Sequence, residues 1–145
     1  MTVATDTTLR IARTIKADRQ RVWDAWTQPE HMKKWCCPQP GGVHDVSADF
    51  EVGGAYEIVM KVDGDTHTAF GTYREIDAPS RLVYTWDWRE EDNQMGDTTV
   101  TVEFNEVDGG TEVIIVQDGF PAAEATAAHE EGWGACISHF EGLFS

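Results

Sequence analysis

Alternating apolar and polar positions open the chain and predict a strand followed by a helix. Over residues 9–17 apolar side chains alternate with mostly polar ones, which is typical of a half-buried β-strand. Asp18 is a typical helix N-cap. Val22, Trp23 and Trp26 then recur at the spacing of one helical stripe, so a short first helix is predicted directly after the strand.

A second short helix is predicted after the first. Pro29 suits the first turn of a helix because it has no N–H group to satisfy, and Glu30 complements the positive helix end. Met32 would then face inward. The helix should end at residues 38–42, which are rich in proline and glycine.

From residue 43 to residue 117 the pattern becomes that of antiparallel strands. Runs of about the usual strand length alternate with residues typical of β-turns, and six strands fit between those turns. The turn signals are Gly53-Gly54, Asp63-Gly64, Ala78-Pro79, the stretch from Glu90 to Gly96, and Asp108-Gly109-Gly110.

These strands have one apolar and one polar face. Asp87 falls on the polar face and is interpreted as a surface carboxylate. The other polar-face residues are Glu57, Lys61 and Glu103. The apolar face comprises Tyr56, Ile58, Met60, Val62, Leu82, Tyr84, Trp86, Trp88, Val100, Val102 and Phe104.

The last segment supplies a helix to cover the apolar face, as a one-sided sheet requires. Pro121 opens this segment, and at about 1.5 Å per residue a helix over residues 122–143 would span roughly 33 Å. Its apolar stripe comprises His129, Trp133, Ile137, Phe140 and Phe144. The order β-α-α-β6-α predicts an α+β fold with about seven antiparallel strands and a long C-terminal helix.

Composition and charge exclude several classes of protein. The 145 residues fit one domain spanning residues 1–145, and no apolar run approaches the roughly 20 residues of a membrane-spanning helix. The first residues show no secretory pattern, so a soluble cytoplasmic protein is expected. With 26 acidic against 11 basic residues, the net charge of −15 opposes binding to nucleic acid or anionic membranes and suits a saline cytoplasm.

Metal, cofactor and nucleophile motifs are not predicted. Cys36 and Cys37 with His31 do not have the spacing of a zinc site, and Cys136 sits where a buried, unreactive thiol is typical. The sequence contains neither a Gly-x-Ser-x-Gly elbow nor a phosphate-binding glycine loop. We therefore assign no catalytic residue, no metal and no cofactor.

Five segments in order resemble one known superfamily, SRPBCC (START/Bet v 1-like), in its branch similar to the activator of Hsp90 ATPase. The resemblance implies a helix-grip fold, in which a curved antiparallel sheet wraps the C-terminal helix and leaves a cavity for lipids, sterols or polyketides. Gln117 departs from the pattern, which often has a histidine there. The segments are WDAWTQPEHMKKWCCP from Trp23, DFEVGGAYEI from Asp49, GTYREIDAPSRLVYTWDW from Gly71, GGTEVIIVQDGF from Gly109 and HEEGW from His129.

That fold directs aromatic side chains from several elements toward one cavity. Large rings with a few polar tips are typical of a pocket for a partly apolar small molecule, although the same rings could simply fill the core. Gly132 and Gly134 lie within the covering helix, where glycine lowers helix stability relative to alanine. Their presence indicates close approach of the sheet or of a ligand. The candidate ligand-binding residues are Trp35, Met60, His67, Tyr73, Trp86, Trp88, Gln117, His129 and Trp133.

The function predicted is non-catalytic binding of a small hydrophobic or amphipathic molecule, by a monomer or homodimer. Two alternatives stay open. An enzyme acting on such a molecule would use Tyr73 or His67 for proton transfer, although only isolated candidates for an acid/base pair are visible. A chaperone-regulating module, which the resemblance implies, would need an exposed surface for its partner.

Overall fold

The computed structural model describes residues 2–4, 7–37, 39, 42–90, 92 and 94–144. Eight strands and three helices are formed by these residues. The strands are β1 (Thr2–Ala4), β2 (Thr8–Ile15), β3 (Val43–Ala48), β4 (Ala55–Val62), β5 (Asp65–Asp77), β6 (Arg81–Trp88), β7 (Thr98–Val107) and β8 (Gly110–Asp118). The helices are α1 (Arg19–Thr27), α2 (Pro29–Met32) and α3 (Ala123–Gly142).

All strands belong to one antiparallel sheet in the order β1-β2-β8-β7-β6-β5-β4-β3. The sheet is curved and unclosed, with β1 and β3 at its two edges, and α3 covers its concave face. The expected helix-grip architecture is thus confirmed, with seven strands in the predicted order and the three-residue β1 in addition. The predicted turn segments lie between consecutive strands, except that Gly110 is already the first residue of β8 and that residues 91 and 93 lie outside the described residues. Within the described residues no helix is long and apolar enough to cross a membrane.

Local capping explains where the first two helices begin. The Asp18 side chain accepts a 2.9 Å hydrogen bond from the Arg21 backbone N–H, which satisfies one of the free donors of α1. Pro29 occupies the first position of α2, where a missing N–H costs nothing. The two helices follow β2, and they place Trp26 and Trp35 against each other with ring centroids 4.4 Å apart.

The alternation of β6 breaks at its centre, where four consecutive residues are buried. A Cβ atom at Gly71 would lie 2.0 Å from the Thr85 carbonyl oxygen, so only glycine allows β5 to approach β6 here. The β5–β6 pairing is interrupted between the pairs Phe70–Asp87 and Tyr73–Tyr84. Within this gap the Thr85 carbonyl accepts a hydrogen bond from the Tyr56 hydroxyl. Trp86 is the next residue along β6 and lies within the same stretch of irregular pairing.

Asp87 is buried, and its interpretation as a surface carboxylate is wrong. Only 7% of its surface is exposed. Its Oδ1 accepts hydrogen bonds from the backbone N–H groups of Trp88 at 2.8 Å and Met95 at 2.7 Å. The connection after β6 therefore folds back over Asp87, and the carboxylate holds it there through these two hydrogen bonds.

Candidate ligand-binding cavity

A cavity of about 470 Å³ lies between the concave face of the sheet and α3. Its wall is contributed by α1, α2 and the residues after α2, by β4, β5 and β6, by the connection after β6, and by α3. Eight of the nine candidate ligand-binding residues line it: Trp35, Met60, His67, Tyr73, Trp86, Trp88, His129 and Trp133. Their role in binding stays a prediction, but the structure brings them together in one space.

Three tryptophans form a continuous aromatic surface through this wall. Trp133 of α3 is stacked against Trp26 of α1, with ring centroids 6.0 Å apart and an interplanar angle of 10°. Trp133 also contacts Trp86, with ring centroids 5.6 Å apart. Trp86 and Trp133 therefore touch as they would in a filled core, yet a void remains beside them.

Gln117 is the one candidate that does not line the cavity. It is 0% exposed and lies behind the wall, where Trp133 Nε1 donates a 2.7 Å hydrogen bond to its Oε1. Its Nε2 donates to Thr98 Oγ1 at 2.9 Å. Its assignment as a polar tip inside the cavity is corrected, because both ends of the amide are occupied by protein groups.

The mouth of the cavity is closed on one side by a Trp–His pair. Trp88 Nε1 donates a 3.0 Å hydrogen bond to His129 Nε2, so Nδ1 carries the ring proton and donates to the Ala125 carbonyl at 2.8 Å. Burial lowers the pKa of His129 below its usual value, partly opposed by the bond to Ala125. His67 packs edge-on against Trp88 with centroids 6.0 Å apart. At neutral pH His129 is therefore an uncharged part of the wall.

The phenols and thiols in the wall are also uncharged at neutral pH. Burial raises the pKa of Tyr73, and the nearby Cys36 thiol adds to the effect. Burial likewise raises the pKa values of Tyr84 and Cys136. The wall also contains Tyr56, whose hydroxyl is held by the Thr85 carbonyl. These groups offer hydrogen bonds and polarisable surface, but no readily formed anion.

Charged side chains are scarce among the described residues of the wall. Among the described lining residues there is neither Lys nor Arg, and Asp92 is the one carboxylate. No group of three or more His, Cys, Asp or Glu side chains in the described part of the chain is arranged to hold a metal ion. Cys37 lies outside this wall, with its Sγ 3.6 Å from the Lys61 carbonyl oxygen.

Sequence reasoning missed several lining residues. Tyr56 and Tyr84 were predicted on the correct strand face but not as cavity residues. Each lies an even number of residues from a candidate on its own strand, Met60 or Trp86, and this alternation could have identified them. Trp26 was assigned only to helix packing, and no local pattern shows that it also reaches the cavity. The thiols of Cys36 and Cys136 also line the wall.

The interpretation of the helix glycines changes as well. A Cβ atom built at Gly132 or at Gly134 would meet no atom within 4 Å, so the expected close approach of the sheet is wrong. Gly132 lines the cavity, whereas Gly134 does not. Open space at Gly132 is thus part of the cavity volume.

Solved structures share this fold across nearly the whole chain. A crystal structure of a protein from Chromobacterium violaceum is 27% identical with a TM-score of 0.83, covering 95% of this chain and 96% of that chain. A crystal structure of a protein from Nitrosomonas europaea is 25% identical with a TM-score of 0.80, covering 97% and 96%. A comparison with curated proteins found no match.

The family assignment rests on the sequence as well as on the fold. The family model described as activator of Hsp90 ATPase homolog 1-like protein matches residues 16–145, which include every helix and every strand from β3 onward. The resemblance seen in the five sequence segments is therefore confirmed. The chain belongs to the family of activator of Hsp90 ATPase homolog 1-like proteins, within the SRPBCC superfamily.

Proposed function

We propose that this chain, acting as one domain over residues 1–145, binds a small hydrophobic or amphipathic molecule in the cavity without transforming it. The observation that carries the proposal is the aromatic cavity of about 470 Å³ between sheet and helix. This volume falls in the range of roughly 300–1,000 Å³ typical of small-molecule sites. A wall of tryptophan, tyrosine and methionine side chains favours an apolar ligand because burying it removes apolar surface from water.

The protonation states favour binding over catalysis. Proton transfer is most efficient when the pKa of the catalytic group lies near the working pH. Burial moves the pKa of Tyr73 upward, away from neutrality, and the phenol packs against Phe50 and Tyr56 at centroid distances of 5.0 and 5.5 Å. His129 uses both ring nitrogens in hydrogen bonds to protein groups. These groups are suited to shaping a wall.

A matched pair of leucine variants tests the proposal. Gly132→Leu places a side chain in the cavity, whereas Gly134→Leu adds the same side chain to the same helix at a position outside the cavity wall. Both should fold, because leucine favours helix more than glycine does. Binding of a hydrophobic probe should weaken by roughly tenfold or more in Gly132→Leu and stay unchanged in Gly134→Leu.

The measurement is tryptophan fluorescence titration with fatty acids, sterols, flavonoids and aromatic polyketides, together with native mass spectrometry of the protein from its own host. A bound small molecule that is lost in Gly132→Leu supports the proposal. Equal binding by both variants places the ligand elsewhere. Turnover of a bound compound favours the enzyme alternative, and a chain that binds no compound but captures a chaperone favours the interaction module.

A further inference from the structure

The indole N–H of Trp86 is a buried donor without an acceptor. Among the described residues Trp86 Nε1 is the one buried side-chain nitrogen or oxygen atom that has no hydrogen-bond partner. Trp86 as a whole residue is 7% exposed and lines the cavity. Buried polar groups are almost always paired, so each exception calls for an absent partner such as water or a ligand.

Three other indoles of the wall donate to protein acceptors, unlike the indole of Trp86. Trp35 Nε1 donates to the Ala25 carbonyl at 2.9 Å, and Trp133 donates to Gln117 at 2.7 Å. Trp88 donates to His129 at 3.0 Å. The fold thus supplies a protein acceptor for the indoles of Trp35, Trp88 and Trp133.

We propose that the ligand is an uncharged molecule whose carbonyl-type oxygen accepts a hydrogen bond from Trp86 Nε1. This inference rests on the proposed function and names the ligand class of the same cavity. An acceptor at this point would satisfy the unpaired donor, while the rest of the ligand would contact the aromatic rings of Trp26, Trp86 and Trp133. A pure hydrocarbon would leave the donor unpaired.

Charge excludes the two ionic alternatives. A carboxylate or phosphate would enter a wall with neither Lys nor Arg among its described residues, in a chain of net charge −15. An ammonium ion could contact the aromatic faces, but the one carboxylate of the wall, Asp92, is exposed at the mouth. A cation also has no acceptor to offer Trp86. A neutral oxygen acceptor fits both the lack of Lys and Arg among the described lining residues and the unpaired indole N–H of Trp86.

Four probes with the same ring test this class. 2-Acetylnaphthalene has a neutral carbonyl, 2-ethylnaphthalene lacks any acceptor, 2-naphthoate is an anion, and 2-(aminomethyl)naphthalene is a cation at pH 7. Equilibrium dialysis gives their dissociation constants. The ketone should bind tightest, with an advantage over the ethyl compound of roughly three- to tenfold, as expected for one net hydrogen bond.

Trp86→Phe removes the donor and keeps an aromatic ring. In this variant the preference for the ketone over the ethyl compound should fall to about onefold, since both then meet the same apolar wall. Trp23→Phe is the control, because Trp23 packs against Phe104 at 5.2 Å outside the cavity, and it should keep the wild-type preference. In ¹⁵N-labelled wild type, the assigned Trp86 indole proton should move downfield with the ketone and not with the ethyl compound.

The four probes distinguish failure of the carbonyl inference from failure of the proposed function. Equal binding of ketone and ethyl compound by wild type, or tightest binding of the anion or cation, overturns the carbonyl inference while leaving cavity binding intact. A ketone preference that persists in Trp86→Phe, or an unshifted Trp86 indole proton, also overturns it. If none of the four probes binds, the proposed function fails together with the inference.

Discussion

Trp133 on α3 and Gln117 on β8 are joined by a 2.7 Å hydrogen bond from the indole N–H to the amide oxygen. Gln117 donates in turn to Thr98 Oγ1, and the Thr98 hydroxyl donates to the Trp86 carbonyl. This chain runs through the closed interior from the covering helix to β6. It fixes two of the tryptophans in the cavity wall relative to each other.

Gln117→Leu tests whether this chain positions Trp133. The variant leaves the buried Trp133 N–H without an acceptor, which should cost about 1–3 kcal/mol of unfolding free energy. Adding Trp133→Phe should restore part of that loss, because the unpaired donor is then also removed. Urea denaturation of the two single variants and the double variant measures the coupling. Strictly additive losses would show that the hydrogen bond contributes nothing specific.

Gly132→Ala and Gly134→Ala should each stabilise the protein. Glycine inside a helix costs up to about 1 kcal/mol relative to alanine, and a methyl group at either site meets no atom within 4 Å. Thermal unfolding should show a higher melting temperature for both. A lower melting temperature in either variant would indicate a contact or a backbone requirement that this structure does not show.

Acid should destabilise the protein through His129. Because burial lowers its pKa in the folded state, the unfolded chain binds the proton first. Above the unfolded-state pKa of about 6.5, neutral His129 makes its full contribution to the free energy of unfolding. That contribution decreases as the pH falls from there toward the lower pKa of the folded state. Protonation also breaks the bond from Trp88, so tryptophan emission should change in the same range.

His129→Gln is the comparison for that experiment. It should flatten the pH dependence of the melting temperature below pH 6.5, because glutamine does not titrate. Every other residue is the same in the two proteins, so the difference between the two curves isolates His129. Parallel curves of melting temperature against pH for wild type and variant would contradict the assignment of the acid destabilisation to His129.

The cavity thiols should react slowly in the folded protein. Burial raises the pKa values of Cys36 and Cys136, which depletes the nucleophilic thiolate. A thiol-reactive chromogenic disulfide should modify them far more slowly than in urea. Elemental analysis of the same preparation should find no stoichiometric metal. One zinc per chain, lost on replacing Cys36 and Cys37 by serine, would refute the prediction of non-ligating thiols.

Salt should stabilise the protein. A net charge of −15 on 145 residues creates self-repulsion in dilute buffer, and ions screen it over distances of about 10 Å at 0.1 M. The melting temperature should rise from low salt to molar sodium chloride. A constant or falling melting temperature would remove the argument from surface charge. Glucose at the same osmolality serves as the uncharged control.

The sequence by itself determined the order of the elements and where most of them begin, because these signals are local. The predicted end of the second helix at residues 38–42 is wrong, because α2 ends at Met32. Asp18 and Pro29 mark helix starts through their own backbone chemistry, and each predicted turn separates two observed strands. Alternation also assigned Trp86 and Trp88 to the inner face. Periodicity determines which face a side chain occupies, and this was sufficient to bring eight of nine candidate residues into one cavity.

Only the tertiary structure decided how deep each side chain lies and what it contacts. Gln117 has the parity of an inner-face residue, but Thr98 and Trp133, which are distant in sequence, hold it behind the wall. Asp87 has the parity of a surface residue, but the connection after β6 covers it. The unpaired indole of Trp86 is likewise invisible in the sequence. Depth and hydrogen bonding depend on contacts between distant segments, and local periodicity does not encode those contacts.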